Sequence, residues 1–522
     1  MRLSETMPAS WGEFLAPAAS LSPPERPETA YRGASHVLRS MQAYTPLLGS
    51  AASDLPAWEQ MTLRARSRDA MRNHPLARAA MTRSRTNIVG TGLMCRPAVD
   101  ADVLGLSADA AKALNRSLRQ RFRAWAESPQ SCDWEATSDF YGLQGLALLS
   151  AMASGDVFAL TPLQDRPGNT SELKVQLVEA DRVSNPRDGA DTENMIDGIA
   201  MDGGVPVGCW VRSQHPGEVR TMTRIASWEF YPFFGAETGR RRVLHVWNDK
   251  ERPGQVRGAP YLAPILEPLV QISRYGGAEL MAAVLSAMMT FFIERDREQL
   301  DENGNPIPFA DDGAFRVGEG AVVDLAPGEK ANMANPSRPN AQFDPFFMAV
   351  TKQIGAALEL PVDELLLHYQ SSYSAARAAM LQAWRFYTMR RWVLAQQFCQ
   401  PIYALWLDLE VASGRLTLPG YADPMRRIAY SRALWIGPSR GSMDEEKEAR
   451  AAKTRIEIGV SNEAVETAQM TGEDWEDVYE QRLEEVNRRK ADGTWAAQGQ
   501  AQPVARVERP DPEDEDDDDS SV

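Results

Sequence analysis

A long stretch without helix-breaking residues most constrains how this chain can fold. Between Ala375 and Gln400 there is neither glycine nor proline, and a helix over such a stretch is about 40 Å long at 1.5 Å per residue. Apolar positions recur along it at alternate spacings of four and three residues, which is typical of a helix with one face in a core. The positions on this face are Met380, Trp384, Tyr387, Arg391, Leu394 and Phe398. Arg391 interrupts the apolar face, and we expect it to be a charge partner at a subunit boundary.

An uncharged polar segment comes before this helix. The chain turns at Pro361 and continues through a short amphipathic run to Leu367. It then reads Tyr369, Gln370, Ser371, Ser372, Tyr373 and Ser374. The segment does not have the pattern of a reaction centre, and its hydroxyl and amide groups are suited to weak, neutral hydrogen bonds.

The size and composition of the chain indicate a folded protein of several domains. At 522 residues it exceeds a single compact core, so two to four domains are expected. Its net charge of −16 is uneven, because eight acids lie between Asp511 and Asp519 and removing them leaves −8 for the rest. The four cysteines lie far apart without a CxxC pair, which argues against a disulfide scaffold and fits a reducing cytoplasm. The longest uncharged apolar run, Leu280–Ile293, is too short to span a bilayer and favours a buried helix.

The first half of the chain has the pattern of an α+β domain. Residues 1–34 are rich in proline and predict a flexible arm. Helical periodicity predicts three helices: Trp58–Thr86, Ala108–Ala126 and Phe140–Ser154. Short strand-like runs follow between turn residues: Val157–Pro162, Leu173–Val178, Gly208–Arg212, Glu229–Tyr231 and Val243–Trp247.

The second half is mainly helical. Tyr261–Arg295 and Phe343–Glu359 are predicted helices, with a β-like stretch between them that ends near Met333. The first of the two is rich in small residues, which let helix axes approach closely, so we expect it to contact neighbouring subunits. The candidate contact residues are Gly276, Gly277, Ala282 and Ala283. Met443–Ala491 predicts charged helix with one break near Gly459, and residues 493–522 predict a disordered acidic tail.

A group of arginines lies near the N-terminal end of the folded region. Eight of them face only Glu59 and Asp69 in their neighbourhood: Arg64, Arg66, Arg68, Arg72, Arg78, Arg83, Arg85 and Arg96. Such a segment can contact nucleic-acid phosphates. A solvated helix face that pairs with acids elsewhere in the chain is the alternative, and we give it more weight.

The motifs that could indicate catalysis or metal binding lack residues that such sites require. Gly437–Gly441 matches the G-x-S-x-G elbow of serine hydrolases, but that elbow needs a later histidine, and the last one here is His368. The chain contains no G-x-x-x-x-G-K-[ST] nucleotide loop, and its five histidines show no metal-ligand spacing. We therefore expect no catalytic, cofactor-binding or metal-binding residues.

Six separated blocks, in this order, resemble the portal proteins of lambda-type tailed bacteriophages. The first three are Asn87–Leu93, Val178–Pro186 and Glu251–Gly258. The others are Pro339-Asn340 with Phe343 and Phe346, then Tyr373–Ala378, and last Phe398–Tyr403. Together they span roughly residues 35–490. One block alone would be a weak signal, but six in the right order are specific.

The resemblance implies a mainly helical α+β portal fold that forms a ring. The implied parts are a wing domain at 35–258, a first stem helix at 259–295, a clip at 296–340, a second stem helix at 341–360, a tunnel-loop region at 361–374, a long helix and inner wing at 375–436, and a helical crown at 437–492. Tyr369–Ser374 would then lie at the DNA channel.

The resemblance also implies a mechanical function and a set of partners. The chain would form a homo-oligomeric ring of twelve subunits at one capsid vertex, first in the host cytoplasm and then in the virion. The ring would conduct double-stranded DNA during packaging and ejection. Its protein partners would be the large terminase subunit, the major capsid or scaffold protein and the head–tail completion proteins, with no membrane and no cofactor. An acidic chain suits a channel for a sliding polyanion, because each neutralised phosphate adds affinity that translocation must break.

Two alternatives remain at this stage. One is another capsid-associated protein, such as a head–tail adaptor, although adaptors are usually much shorter and lack paired stem helices. The other is a hydrolase or nuclease of the packaging machinery, which would need a nucleotide loop or an acidic metal cluster within the folded sequence.

Overall fold

The computed structural model describes residues 38–44, 46, 49–218, 225–287, 291–295, 303, 329–333, 342–369, 372–441 and 444–494. The predicted arm at 1–34, most of the predicted clip at 296–340 and all but the first two residues of the predicted tail lie outside the described residues. The chain divides into a short N-terminal unit, residues 1–54, and a main unit, residues 55–522. In the N-terminal unit the described residues form helix α1 (Arg39–Gln42) and a turn in which the Asp54 amide donates to the Ser50 carbonyl at 2.9 Å.

The helices of the first half confirm two of the three predicted ranges. Helix α5 begins after Ser107 and helix α7 after Asp139; each of these side chains caps its helix, with Asp139 accepting from the Gly142 amide at 2.7 Å. The six helices after α1 are α2 (Ala57–Asn73), α3 (Pro75–Ile88), α4 (Ala101–Leu104), α5 (Ala108–Ala126), α6 (Pro129–Cys132) and α7 (Phe140–Ser154). The single helix predicted over Trp58–Thr86 is wrong, because Pro75 cannot continue a helix and starts a new one after an extended His74.

Three antiparallel sheets complete the α+β part. Their strands are β1 (Met94–Pro97), β2 (Asp156–Leu160), β3 (Gln176–Glu179), β4 (Met195–Ile196), β5 (Ile199–Asp202), β6 (Val205–Arg212), β7 (Trp228–Pro232), β8 (Val243–Trp247) and, much later, β11 (Ala433–Ile436). The sheet orders are β3-β2-β8, β4-β5-β6-β7 and β1-β11. All five predicted strand-like runs overlap strands, whereas β1, β4, β5 and β11 were not predicted.

The next region contains two helices and two strands. It contains α8 (Leu266–Ala287), β9 (Phe291–Arg295), β10 (Glu329–Met333) and α9 (Phe343–Ala357), and β9 pairs antiparallel with β10. The helix predicted over Tyr261–Arg295 is therefore too long. An apolar run that ends in two phenylalanines and an isoleucine fits a buried helix or a strand equally well by pattern, and here its last part is a strand.

The long helix lies at the centre of the main unit. It is preceded by α10 (Val362–Leu366) and consists of α11 (Tyr373–Leu394), a π-helical turn (Ala395–Cys399) and α12 (Gln400–Ala412). Phe398 of this helix stacks on Phe140 of α7 with ring centroids 5.7 Å apart, and Tyr403 meets Phe122 of α5 edge to face at 5.1 Å. The helix therefore joins the two halves of the chain in one aromatic core.

The charged C-terminal part contains three helices rather than the two predicted. After α13 (Pro424–Tyr430) come α14 (Glu445–Glu457), α15 (Glu463–Met470) and α16 (Trp475–Ala491). The break near Gly459 is confirmed, and a second one lies at Gly472, whose φ of +77° favours glycine. The described chain is thus α+β and mainly α, as predicted.

Candidate subunit-contact and channel surfaces

Helix α8 has an inner face that is packed and an apolar outer face that is not. On the inner face, Ile272 is buried, and the Tyr275 ring lies 5.7 Å from Phe343 of α9. On the outer face, Leu280 is 68% exposed and Val284, one turn later, is 42% exposed. Large apolar side chains that share one exposed helix face mark a surface for association.

The small residues predicted to contact neighbouring subunits lie along the same helix. Gly277 and Ala283 are exposed, whereas Gly276 and Ala282 are half-buried. A side chain built at Gly276 or Gly277 would meet no other atom within 4 Å. In the described part of the subunit, no neighbouring atom requires glycine at these two positions. Their role in contacts between subunits stays a prediction.

The junction between α10 and α11 is fixed at its base by Glu364. One carboxylate oxygen of Glu364 accepts hydrogen bonds from Asn87 Nδ2 at 2.6 Å and from Tyr387 Oη at 2.7 Å. Burial, followed by the nearby Glu364 carboxylate, raises the pKa of Tyr387 far above its usual value, so the phenol stays protonated as a donor. One side chain of α10 thereby ties the end of α3 to the middle of α11.

The predicted channel residues divide at Ser372. Tyr369 is 57% exposed just after α10, and Ser372 is the N-cap of α11, with its Oγ accepting from the Ala375 amide at 3.4 Å. Tyr373 and Ser374 form the first turn of the helix rather than a loop, because this cap starts the helix two residues before Ala375. Gln370 and Ser371 lie outside the described residues.

Arg391 binds backbone carbonyls of its own chain. Its Nε donates to the Ile88 carbonyl at 3.0 Å, and its Nη2 donates to the carbonyls of Asn87 at 2.9 Å and Pro438 at 3.0 Å. Burial lowers the pKa of this guanidinium to about 10. These contacts join α3, α11 and the loop that contains Pro438 (the 438 loop) within one subunit, and the role of Arg391 as a charge partner at a subunit boundary stays a prediction.

The G-x-S-x-G motif has a packing explanation here. A Cβ on Gly437 would overlap the Arg391 guanidinium, so the first glycine of the motif is needed for the arginine to reach the Pro438 carbonyl. Gly437–Gly441 therefore forms an irregular segment after β11 that packs against Arg391 of α11. The contact joins residues 47 positions apart, which spacing alone could not reveal.

A cluster of buried charges holds the wing-like α+β part together. Asp156 is completely buried and accepts two hydrogen bonds from Arg257, at 2.7 and 3.1 Å. Its carboxylate also lies 3.3 Å from Arg64 Nη2, 3.0 Å from His245 Nε2 and 3.1 Å from the Gly258 amide. Burial alone would raise the pKa of Asp156, but Arg257, His245 and Arg64 together hold it well below its usual value.

Arg257 connects two of the blocks that carry the resemblance. Besides Asp156, it donates to the carbonyls of Ala180 at 2.9 Å and Val183 at 3.0 Å and to the Asp197 carboxylate at 2.9 Å. The block that contains Arg257 and the block that contains Ala180 and Val183 are therefore two sides of one buried contact. This cluster was missed from sequence because its members lie about 60 to 100 residues apart.

His245 makes the stability of this cluster sensitive to mild acid. Burial lowers the pKa of His245 below 6.5, so the folded protein resists a proton that the unfolded chain accepts. Above pH 6.5 His245 therefore does not reduce the free energy of unfolding. Below pH 6.5 the free energy of unfolding should fall, by at most about 1.4 kcal/mol per pH unit for one group.

Chemical unfolding of the wild type and of His245→Gln between neutral pH and pH 5 would measure this slope. The variant should show a shallower decline, and equal declines would contradict the assignment to His245.

The arginine-rich helices α2 and α3 divide into two sets. Arg64 and Arg68 face the interior and pair with Asp156 and Asp181. Arg66, Arg72, Arg78 and Arg85 are exposed. The first set thus pairs with acids elsewhere in the chain, as the alternative expected, but it faces the interior rather than forming a solvated helix face.

Within the described ranges, His, Cys, Asp and Glu side chains form no group of three or more that could hold a metal ion. Among the helices that the structure describes, none is long and apolar enough to cross a membrane.

An apolar helix face left open in a single subunit, beside a long helix anchored in a rigid aromatic core, is typical of a structural protein that works as an assembly. The family model described as "Phage portal protein, lambda family" matches residues 38–391, and the chain belongs to this family. The resemblance found in the sequence is thereby confirmed.

Curated relatives agree with this family. The chain is 24% identical to portal protein B of Escherichia phage lambda over 463 residues, which cover 83% of this chain and 85% of the relative. It is 25% identical over 464 residues to the portal protein of Escherichia phage N15, with 83% and 86% covered. It is also 26% identical over 467 residues to a probable portal protein of Halomonas phage phiHAP-1, with 87% and 86% covered.

Solved structures with some similarity come from a gene transfer agent particle. A chain from the neck of the native particle, computed with C12 symmetry, gives a TM-score of 0.45 at 10% identity and covers 79% of this chain and 93% of its own. A chain from the virion of the native particle gives 0.43 at 11% identity, with 78% and 92% covered.

Membership of this family defines the general function of the protein. It is a structural portal protein of the phage capsid, located at the portal vertex of the virion, and it serves DNA packaging. This confirms the function and the location that the six sequence blocks implied.

Proposed function

We propose that the chain forms a closed ring of twelve copies in which the outer face of α8 is covered by neighbouring subunits. The observation that carries this proposal is the exposed apolar face with Leu280 and Val284. Burying apolar surface contributes about 25 cal/mol per Å². In a cyclic ring each subunit uses two different surfaces, one toward each neighbour, so the apolar face of every copy is covered.

In this ring α8 and α9 are the two stem helices, and the junction of α10 and α11 lies at the channel. The α+β part around Asp156 is the wing, β9 and β10 lead into and out of the clip, and α14–α16 belong to the crown. Double-stranded DNA passes through the channel during packaging and ejection. The large terminase subunit docks first and the head–tail completion proteins dock later, with the major capsid or scaffold protein around the ring. The protein itself performs no catalysis.

Purified protein should appear as rings with a central hole in negative-stain electron microscopy. The ring symmetry gives the number of subunits, and mass photometry on the same sample gives an independent count. A stable, monodisperse monomer at concentrations that support assembly would contradict the proposal. It would show that the apolar face of α8 does not have to be buried by a neighbouring subunit.

Ser372→Asp offers a clean test of the channel position. Aspartate caps a helix about as well as serine, so the variant should keep α11 intact while adding one negative charge per subunit. If Ser372 faces the channel, each added charge repels DNA phosphates by about 1 kcal/mol at close range in water. Rings and proheads should form normally, while the amount of packaged or retained DNA should fall.

Ser372→Ala is the matched control. It removes the cap, at a cost of about 1 kcal/mol, without adding charge. DNA retention measured by nuclease protection should remain near the wild-type level in this variant. Equal packaging by the aspartate and alanine variants would place Ser372 away from DNA.

A further inference from the structure

Helix α16 meets the rest of the subunit through ion pairs. Arg119 of α5 lies 2.9 Å from Asp474, 3.3 Å from Glu476 and 2.9 Å from Asp477, all within the first turn of α16 or just before it. Arg96 of β1 lies 3.5 Å from Asp474 and 3.6 Å from Glu476. One turn earlier on α5 and one turn later on α16, Arg116 pairs with Glu480 at 3.1 Å. We call this group of three arginines and four carboxylates the α5–α16 charge contact.

Apolar burial contributes little to this attachment. None of the seventeen residues of α16, all of which the structure describes, is buried. Of its apolar side chains, Tyr479 and Leu483 are exposed, and Trp475 and Val478 are half-buried. A helix without a fully buried side chain gains less from the hydrophobic effect, so its position depends largely on the charges.

The preceding helix does not replace that attachment. Helix α15 is joined to α14 by Arg455, which pairs with Glu466 at 2.6 Å. This contact lies within the charged C-terminal part and does not reach α5 or β1. The turn between α15 and α16 contains Gly472 at a φ of +77°, a conformation that glycine adopts without strain and that allows a change of direction.

Charges of this kind are sensitive to ionic strength. Arg116 and Asp477 are about half exposed and Glu480 is 37% exposed, whereas Arg119 and Asp474 at the centre of the contact are only 12% and 7% exposed, so salt acts first on the outer pairs. The distance over which salt screens charges falls from about 10 Å at 0.1 M to about 3 Å at 1 M. A helix held by apolar packing would not weaken over this range.

We propose that the α5–α16 charge contact is a reversible latch, so that α16 separates from α5 and β1 as ionic strength rises while the rest of the subunit stays folded. The four carboxylates also cover three arginines, and opening would expose Arg96, Arg116 and Arg119 together. The latch therefore adds a movable element to the C-terminal part of a subunit whose aromatic core is rigid.

Hydrogen exchange on the full-length assembled protein tests the latch. Peptides that cover residues 473–491 should exchange faster at about 1 M than at about 0.1 M NaCl, while peptides from α7 should not change. Mass photometry at both salt concentrations shows whether the assembly stays intact. If α16 keeps its protection in high salt while the assembly is intact, the proposal is wrong.

Two matched substitutions on α5 separate the latch from general salt effects. Arg119→Gln removes the arginine that contacts three carboxylates of the latch, and exchange in α16 should rise at low salt to the level that the wild type shows at high salt. Arg123→Gln removes an arginine one turn away whose hydrogen-bond partner, Glu127 at 2.6 Å, follows it on the same chain segment. Arg123 acts on Asp477 only at longer range, so exchange in α16 should change much less than in Arg119→Gln.

Arg119→Lys serves as the rescue variant. It keeps the charge but loses the planar fork that reaches several carboxylates, so it should restore part of the protection and not all of it. The proposed latch is wrong if α16 exchanges equally in Arg119→Gln and Arg123→Gln. It is also wrong if Arg119→Lys restores no protection. Unchanged exchange in α7 confirms that each variant is folded.

Discussion

Replacing Leu280 and Val284 together with glutamate is expected to abolish ring formation. Both side chains lie on the exposed face of α8, one turn apart, so the substitutions leave the packed face with Ile272 and Tyr275 unchanged. In the proposed ring, each contact between subunits would then bury unpaired carboxylates, which costs several kcal/mol per charge. The penalty is repeated at every contact around the ring, so assembly should fail rather than weaken gradually.

Mass photometry and negative-stain images would show subunits in place of rings, and circular dichroism should show that they retain their helix content. Met425 and Ile428 provide a matched control, since they are equally exposed apolar residues on a different helix, α13. Glutamate at both of those positions should leave rings intact. Rings of normal size from the α8 variant would show that this face is not a subunit contact.

Removing the Asp156 carboxylate should cause the largest loss of stability of any single substitution in the α+β part. Asp156→Ala leaves Arg257 and Arg64 buried without their shared partner, and breaking a buried ion pair in this way costs about 3–5 kcal/mol. Chemical unfolding at neutral pH, followed by circular dichroism, measures the loss. The effect should also lower the yield of folded protein.

Glu446→Ala is the control for Asp156→Ala. Glu446 pairs with Arg450 on the same helix, and both side chains are about three-quarters exposed, so its removal should change stability by no more than about 0.5 kcal/mol. A similarly small change in Asp156→Ala would show that the buried cluster does not hold the α+β part together. Because the pKa of Asp156 lies well below its usual value, its contribution is fully present above pH 3.8 and is lost only as the pH falls further.

Helices were the elements predicted best, because their signals are local. The bounds of α5 and α7 were predicted correctly because an N-cap residue, Ser107 or Asp139, directly precedes an apolar periodic run. The break at Pro75 was also a local signal, but it was overlooked because the arginine pattern continues on both sides of it. The strand Phe291–Arg295 was missed for a different reason, since periodicity does not separate a short strand from the end of a buried helix.

Contacts between distant segments could not be predicted from one sequence. Strand β1 finds its partner β11 more than 330 residues later, and each has only four residues, so neither has a clear pattern alone. The hydrogen bonds of Glu364 with Asn87 and of Arg391 with Ile88 could not be predicted either, because these partners are close only after α3 and α11 have packed. The small-residue composition of α8 could be read directly from the sequence, because composition is a local property, but its role in subunit contacts stays a prediction.

The anchoring of Arg391 has a mechanical consequence for a protein that conducts a polymer. Its three acceptors are backbone carbonyls, which cannot swing aside by changing rotamer as carboxylate side chains can. In the proposed ring, a load applied to α11 from inside would therefore pass directly into the end of α3 and the 438 loop. If α11 lines the channel as proposed, small displacements of the channel wall would be shared across the subunit, because this joint resists bending.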